Sequence, residues 1–341
     1  MTVQTHLQQL LETNKSTFLS GEEIARRLGV SRNAVWKAIK ALQAEGYPIE
    51  AVPNKGYCLS AESDVLSESG IRRYLAGDAE NLSLHVYDTV VSTNLMLRDL
   101  AVKGAPEGTV VVAARQTGGR GRKGRSFFSP EYTGVYVSLL LKPKIAPDDA
   151  TLITTTAAVA VCEALESLSD RKAKIKWVND VFVDGKKICG ILTEGSFDME
   201  SGQFEYAILG TGVNVYTPAG GFPEELQAIA GSVFSAPVPD AKNRMIAAYL
   251  NRFLALYRNL GGSETIAEYR RRSFVLGKTI TVLAADRQPT PARALDVDEK
   301  CRLLVEYEDG RRETLSSGEI SIKPIESGEG RNNASRSSHQ P

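Results

Sequence analysis

Histidine is nearly absent from this chain: there are three in 341 residues, His6, His85 and His339, far apart in sequence. Histidine-based metal or nucleophilic chemistry therefore has little material. The four cysteines, Cys58, Cys162, Cys189 and Cys301, are equally scattered, and no CxxC pair exists. Metal and disulfide frameworks need clusters, so buried free thiols are the expectation and no protein-built metal site is foreseen. No run of apolar residues approaches the roughly 20 that a membrane helix needs. The N-terminus lacks the apolar core of a signal peptide, and a cytoplasmic location without membrane partners is the default expectation. Net charge is zero, with 41 basic and 41 acidic residues. Any nucleic-acid site must then be a local patch rather than a property of the whole chain.

What is present has the composition of a globular protein, 42% apolar and 24% charged, and the length suggests two or three domains. Residues 1–62 read as helices followed by a hairpin. Leu7, Leu10 and Leu11 form a first helical stripe. Ser20 and Glu23 have the spacing of a capping box ahead of Ile24 and Leu28, and Gly29 suits the end of that helix. Ser31 caps a third helix with the stripe Val35, Ala38, Ile39 and Leu42, which Gly46 ends. Two short extended runs flank the turn Pro53-Asn54-Lys55-Gly56. Helix, turn, helix and hairpin make a winged helix-turn-helix. Arg26 to Lys40 holds five basic residues and no acid. With the stripe facing inward, Ser31, Arg32, Asn33, Lys37 and Lys40 are the candidate DNA-binding residues. The competing reading is a solvated basic helix.

Residues 63–81 are polar and read as a linker. From 82 to 275 strands alternate with helices. The stretch 277–325 is strand-rich, with Thr279–Leu283, Leu303–Tyr307 and 319–322, and suggests a small β-barrel. The end, 326–341, has no apolar stripe and is expected to be disordered.

Four segments of the central region carry the candidate chemistry. The densest is Arg115 to Arg125, with five cations and four glycines in eleven residues, after the apolar run Thr109–Ala114. Glycine lets backbone approach a ligand closely, and arginine offers forked donors to phosphate or carboxylate. The order is not that of a Walker loop. On composition alone, a phosphate site, a basic surface loop and a nucleic-acid arm all remain open. The second segment is Lys176-Trp177-Val178-Asn179-Asp180, leading through the turn Asp184-Gly185 to Lys187 and Gly190-Ile191-Leu192. It reads as a β-hairpin with polar groups among apolar strands, which need partners or a ligand. The third is Ser92-Thr93-Asn94, with Ser92 as a helix N-cap. The fourth is Gly210-Thr211-Gly212-Val213-Asn214, where alternate glycines clear one strand face for a ligand or another backbone.

In this order the segments resemble the biotin–protein ligase family, in its bifunctional class with an N-terminal DNA-binding domain. The resemblance covers residues of about 1–325. It implies an α+β multidomain fold: the winged helix, a central mixed-sheet α/β ligase domain related to lipoate ligases and class II synthetases, and a C-terminal SH3-like β-barrel. It implies that biotin and ATP, with Mg²⁺, form biotinyl-5′-AMP. Biotin then passes to one lysine of a biotin carboxyl carrier domain of acetyl-CoA carboxylase or a related carboxylase. Ser92, Thr93, Asn94, Gln116, Arg120, Gly121, Arg122 and Lys187 match biotin-side positions. Gly119, Arg122, Lys176, Asn179, Asp180 and Asn214 match nucleotide-side positions. Arg120, Arg122 and Lys187 would be catalytic. The class also implies repression of biotin genes by an adenylate-bound homodimer on operator DNA. The sequence departs from the family at Val178, Gly118 and Phe127, where proline, alanine and tryptophan are usual, and 292–297 lacks an expected glycine. The alternatives are a lipoate or octanoate ligase and a ligand-responsive repressor without catalysis.

Overall fold

The computed structural model describes residues 2–198, 200, 202–283, 288–316 and 319–321. The terminal segment expected at 326–341 and Ile322 of the last expected strand lie outside them. The chain divides into two compact units, Met1–Phe274 with Glu299–Cys301, and Val275–Asp298 with Arg302–Pro341.

The first unit begins with α1 (Val3–Thr13), α2 (Gly21–Leu28) and α3 (Arg32–Ala44), then β1 (Ile49–Val52) paired antiparallel with β2 (Gly56–Leu59). Ser20 caps α2 by accepting from the Glu23 N–H at 3.0 Å. The Glu23 carboxylate does not return to Ser20 as a capping box would have it; it pairs with Arg27 one turn on. Gly29 takes φ 66°, which a side chain disfavours, and closes the helix. Leu7, Leu11, Ile24, Val35, Ile39, Leu42 and Leu59 form one core.

The stretch expected as a linker is seated on the rest of the unit. It contains α4 (Glu68–Arg72), whose Ile71 is fully buried. The Ser67 N–H donates to Asn243 Oδ1, and Asn243 Nδ2 donates to the Val65 carbonyl. Tyr216 donates its hydroxyl proton to Asp64.

The central region is a seven-stranded mixed sheet. It contains β3 (Ser83–Val90), β4 (Thr109–Gln116), β5 (Gly134–Leu141), β6 (Ala173–Lys176), β7 (Asp180–Val183), β8 (Lys186–Phe197) and β9 (Phe204–Asn214). The order is β3-β4-β5-β9-β8-β7-β6, with β3 and β4 parallel and every other pair antiparallel. The helices are α5 (Thr93–Val102), α6 (Thr151–Leu168), the short α7 (Glu224–Gln227), α8 (Ala241–Tyr257) and α9 (Ser263–Arg272).

Alternation along the strands sorts side chains between two faces. Cys189, Ile191 and Thr193 of β8 and Leu209, Thr211 and Val213 of β9 share one face. There Thr193 bonds Thr154 of α6 and Thr211 bonds Tyr249 of α8, each at 2.8 Å. The other face carries Ile208, packed with Leu97 of α5, Val111 and Leu140. It also carries Gly190, Leu192, Glu194, Gly210, Gly212 and Ser138, around which the candidate site is built.

Helix α6, with the turn from Pro147, is long and apolar enough to cross a membrane by length and composition. It is apolar all round because most of its residues are buried inside the protein. The second unit is an antiparallel sheet of β10 (Thr279–Leu283), β11 (Thr290–Val297), β12 (Leu303–Tyr307), β13 (Arg312–Leu315) and β14 (Glu319–Ser321), in the order β13-β12-β11-β10-β14. Among the described residues no ladder joins β13 to β14.

Candidate active site

Ser92 stands at the N-cap of α5 but makes no side-chain cap bond. Gln116, at the end of β4, does that work from outside: its Oε1 accepts from the Thr93 N–H at 2.9 Å. The other end of the Gln116 amide donates to Ser129 Oγ, and Ser129 donates to the Phe127 carbonyl. The start of α5, the end of β4 and the segment after the basic loop are thus tied by one amide. Thr93 and Asn94 are buried beneath it.

Asn94 has both ends of its amide occupied. Its Nδ2 donates to Glu194 Oε2 at 2.7 Å, and its Oδ1 accepts from Ser138 Oγ at 2.6 Å. Arg98, one turn along α5, donates to Glu194 Oε1 at 2.7 Å. Each end of the Asn94 amide is thus bonded within the protein. Gly210 faces it so closely that a Cβ there would strike its amide.

The basic segment forms a loop over the same face. Its backbone is pinned where Gly121 donates to the Arg125 carbonyl at 2.7 Å and Phe127 donates to the Gly119 carbonyl at 2.9 Å. Gly119 is held by crowding, since a Cβ would lie 2.5 Å from the Phe127 carbonyl oxygen. The Phe127 ring returns over the sheet. A Cβ at Gly190 would meet it at 2.9 Å and one at Gly212 at 2.5 Å. The alternate glycines thus clear the face for protein side chains, Asn94 and Phe127, not for a backbone. Arg120, Gly121, Arg122, Lys123, Gly124 and Arg125 line a cleft of about 430 Å³ whose remaining walls are Leu192 and Glu194.

Lys187 sits at the start of β8, with its Nζ 2.6 Å from Asp180 Oδ1. The two are a charge pair, but Asp180 Oδ1 has no well-aligned hydrogen bond. Asn179 donates to the Ile191 carbonyl at 2.8 Å, and its Oδ1 lies 3.4 Å from Arg122 Nη1, the link between hairpin and loop. Asn214 is fixed by donating to the Gly231 carbonyl. Lys176 is half-buried at the end of β6. The peptide between Trp177 and Val178 is cis. Among the described residues no group of three potential metal-ligating side chains occurs.

Three families of sequence model match the chain. The Biotin/lipoate A/B protein ligase family covers 86–214, an HTH domain covers 3–58, and the Biotin protein ligase C terminal domain covers 275–323. The bifunctional ligase/repressor BirA of Bacillus subtilis is 37% identical over 93% of this chain and 98% of its own length. The chain belongs to the biotin protein ligase family, in its bifunctional ligase/repressor class. The biotin–[acetyl-CoA-carboxylase] ligase of Mycobacterium tuberculosis is 30% identical over 75% of this chain and 95% of its own. The structure of the Aquifex aeolicus biotin protein ligase in complex with biotin and ATP superimposes with a TM-score of 0.60. That match has 28% identity and covers 71% of this chain and 98% of that one.

Sequence reasoning missed Ser138, Arg98 and Glu194. The signal for Glu194 was available: it follows Gly190 and Leu192 at every second position of one strand, so it must share their face. An acid there, opposite a loop of five cations, is out of pattern.

On the winged helix, Arg32, Asn33, Lys37 and Lys40 are exposed together on one face of α3. Ser31 is spent as the cap, accepting from the Ala34 N–H at 3.2 Å. Trp36, half-exposed between these residues, belongs to the same face and was not singled out from the sequence.

Proposed function

We infer that this protein activates biotin with ATP to biotinyl-5′-AMP, transfers biotin to a lysine of a biotin carboxyl carrier domain, and represses biotin genes in response. The observation that carries this reading is the convergence on one sheet face of the glycine-rich cationic loop, the Ser92-Thr93-Gln116 cluster and Lys187.

In the first step a carboxylate oxygen of biotin attacks the α-phosphorus of ATP, and pyrophosphate leaves. Two anions must approach, and negative charge grows on the phosphoryl oxygens. Lys187, Arg120 and Arg122 offset that charge, a contribution that depends on donors already in position. Mg²⁺ belongs to the reading as a companion of the phosphates, with Asp180 and Asn179 as the oxygen-bearing side chains beside Lys187. In the second step the neutral carrier amine attacks the acyl carbon, AMP leaves and the amine loses a proton, for which Asp180 is the proposed acceptor. No nucleophilic side chain is needed. The mixed anhydride must be kept from water, and the loop 119–127 is the element placed to cover it.

Arg32, Asn33, Lys37 and Lys40 are proposed to meet operator DNA. A homodimer formed by the adenylate-bound protein would present two such helices to a two-fold site. Closure of the C-terminal sheet into an SH3-like barrel would need β13 and β14 to pair.

ATP–pyrophosphate exchange tests the enzymatic reading, with biotin, lipoate, octanoate or no acid added. Biotin-dependent exchange is expected. Exchange with lipoate or octanoate alone would assign the chain to the sister activity. No exchange with any acid would leave a repressor without catalysis.

A further inference from the structure

The outward face of α3 carries one large apolar side chain. Trp36 is half-exposed, and it is no part of the core that Val35, Ile39 and Leu42 build on the other side of the helix. Residues four apart share a helix face, so Arg32, Trp36 and Lys40 lie in one row, with Asn33 and Lys37 beside it. Among the described residues the Trp36 indole has neither an acceptor for its Nε1–H nor a ring to stack on. The other tryptophan, Trp177, is buried and donates its Nε1–H to the Cys301 carbonyl at 2.9 Å. A single exposed apolar side chain needs no explanation on an ordinary surface. Here it stands in the middle of exposed Arg26, Arg32, Lys37 and Lys40, with no acid from Arg26 to Lys40. That face repels the same face of a second copy and attracts a polyanion.

We propose that Trp36 is a specificity-determining residue that reads a thymine from the major groove, its ring set against the C5 methyl. The inference deepens the repressor reading and rests on it. The indole brings an apolar face and one donor, and no acceptor. Adenine and cytosine turn amino donors into the major groove, which the indole cannot satisfy. Guanine offers two acceptors and no apolar group. Thymine alone sets a methyl beside an acceptor, O4, and so matches both parts of the indole. Arg32, Lys37 and Lys40 around it are left to hold phosphates or guanine edges.

The test crosses a protein variant with a DNA variant. The full chain, with biotin and ATP, first selects duplexes from a pool of random sequence. Each thymine of a selected duplex is then replaced by deoxyuridine, which removes the methyl and nothing else, and dissociation constants are read by fluorescence anisotropy. For wild type, one replacement per half-site should weaken binding about three- to fivefold, the worth of one buried methyl. Trp36→Ala should bind the thymine duplex about tenfold more weakly, the range for one lost base contact. It should show no further loss with deoxyuridine at that position. Its slope of log affinity against log salt should equal that of wild type, because no phosphate contact is removed. Trp36→Phe keeps an apolar ring and should keep the preference for the methyl; it serves if Trp36→Ala does not fold. A wild type indifferent to every methyl would overturn the proposal, as would a Trp36→Ala variant as sensitive as wild type at every thymine. An equal loss on selected and random duplexes would make Trp36 a backbone contact and overturn it too. So would a change of oligomeric state in Trp36→Ala without DNA, which would make this face an interface between copies. If wild type enriches no sequence at all, the repressor reading itself is refuted and the proposal falls with it.

Discussion

Lys15, at the end of the first helix of the winged domain, places its ammonium 2.6 Å from Asp240 Oδ1, just ahead of α8 in the ligase core. Both side chains are almost fully buried, and so is Glu12, 3.4 Å from the same ammonium. Lys15 also donates to the Ser63 carbonyl, and Tyr74 donates to Asp240 Oδ2. Burial raises the Glu12 carboxyl above its ordinary value, with Lys15 opposing. Burial also works against ionised Asp240, but hydrogen bonds from Lys15 and Tyr74 hold that carboxyl below its ordinary value.

Removing Lys15 should therefore strand two buried acids. Lys15→Met is expected to destabilise the chain by about 3–5 kcal/mol, the usual cost of an uncompensated buried charge. Adding Asp240→Asn should recover part of that loss. Urea unfolding of the single and double variants checks it; equal losses in the two would contradict a charge origin.

Lys187→Ala is expected to reduce adenylation by roughly 10²–10³-fold, the range for losing one preorganised charged donor. The helix content and melting temperature should hardly change, since Lys187 Nζ pairs with Asp180 at a partly exposed position. Biotin-dependent pyrophosphate exchange is the measurement, and normal exchange would remove Lys187 from its proposed role.

Lys37→Ala should weaken binding of any DNA sequence. It should lower the slope of log affinity against log salt by about 0.9, one phosphate contact. Ligase activity should stay unchanged. A salt slope equal to wild type would place Lys37 away from the backbone.

Glu268 gives the sign of an acid effect. Hydrogen bonds from Arg271, then Arg272, hold its carboxyl down to about 2 from an ordinary 4.5. A depressed carboxyl stabilises the fold above its unfolded value and loses that contribution as pH falls. The melting temperature of wild type should thus exceed that of Glu268→Gln near neutrality. The gap should close between about pH 4.5 and pH 2. A gap independent of pH would mean that the side chain acts through packing.

Much of the fold is legible in the sequence. The winged helix could be read because its stripes, caps and turns are local: Ser20, Gly29, Ser31 and the turn Pro53-Asn54-Lys55-Gly56 each act within a few residues. The order of the four central segments carried the family. What could not be read were pairings between distant parts. Gln116 caps a helix 23 residues upstream. Nothing in the neighbourhood of Asn94 announces its bond to Glu194, 100 residues on. The segment 63–81 looked loose because its composition is polar, yet those polar atoms are held by Asn243 and Tyr216 far along the chain. The stretch Leu152–Leu165 does not stand out as a continuous apolar span, since Thr154, Thr155, Thr156 and Glu163 interrupt it.

The glycines of β8 and β9 bear on how this site can change over generations. Gly210 is shaped to Asn94, and Gly190 and Gly212 to the Phe127 ring. Each is one half of a lock whose other half lies elsewhere in the sequence. A methyl at 212 would be tolerated only beside a smaller residue at 127, and a larger ring at 127 only over bare backbone at 190 and 212. Substitutions here must therefore be inherited in matched sets. The pocket floor should drift far more slowly than the exposed loop above it, and lineages that do alter it should carry compensating changes on both sides of the lock.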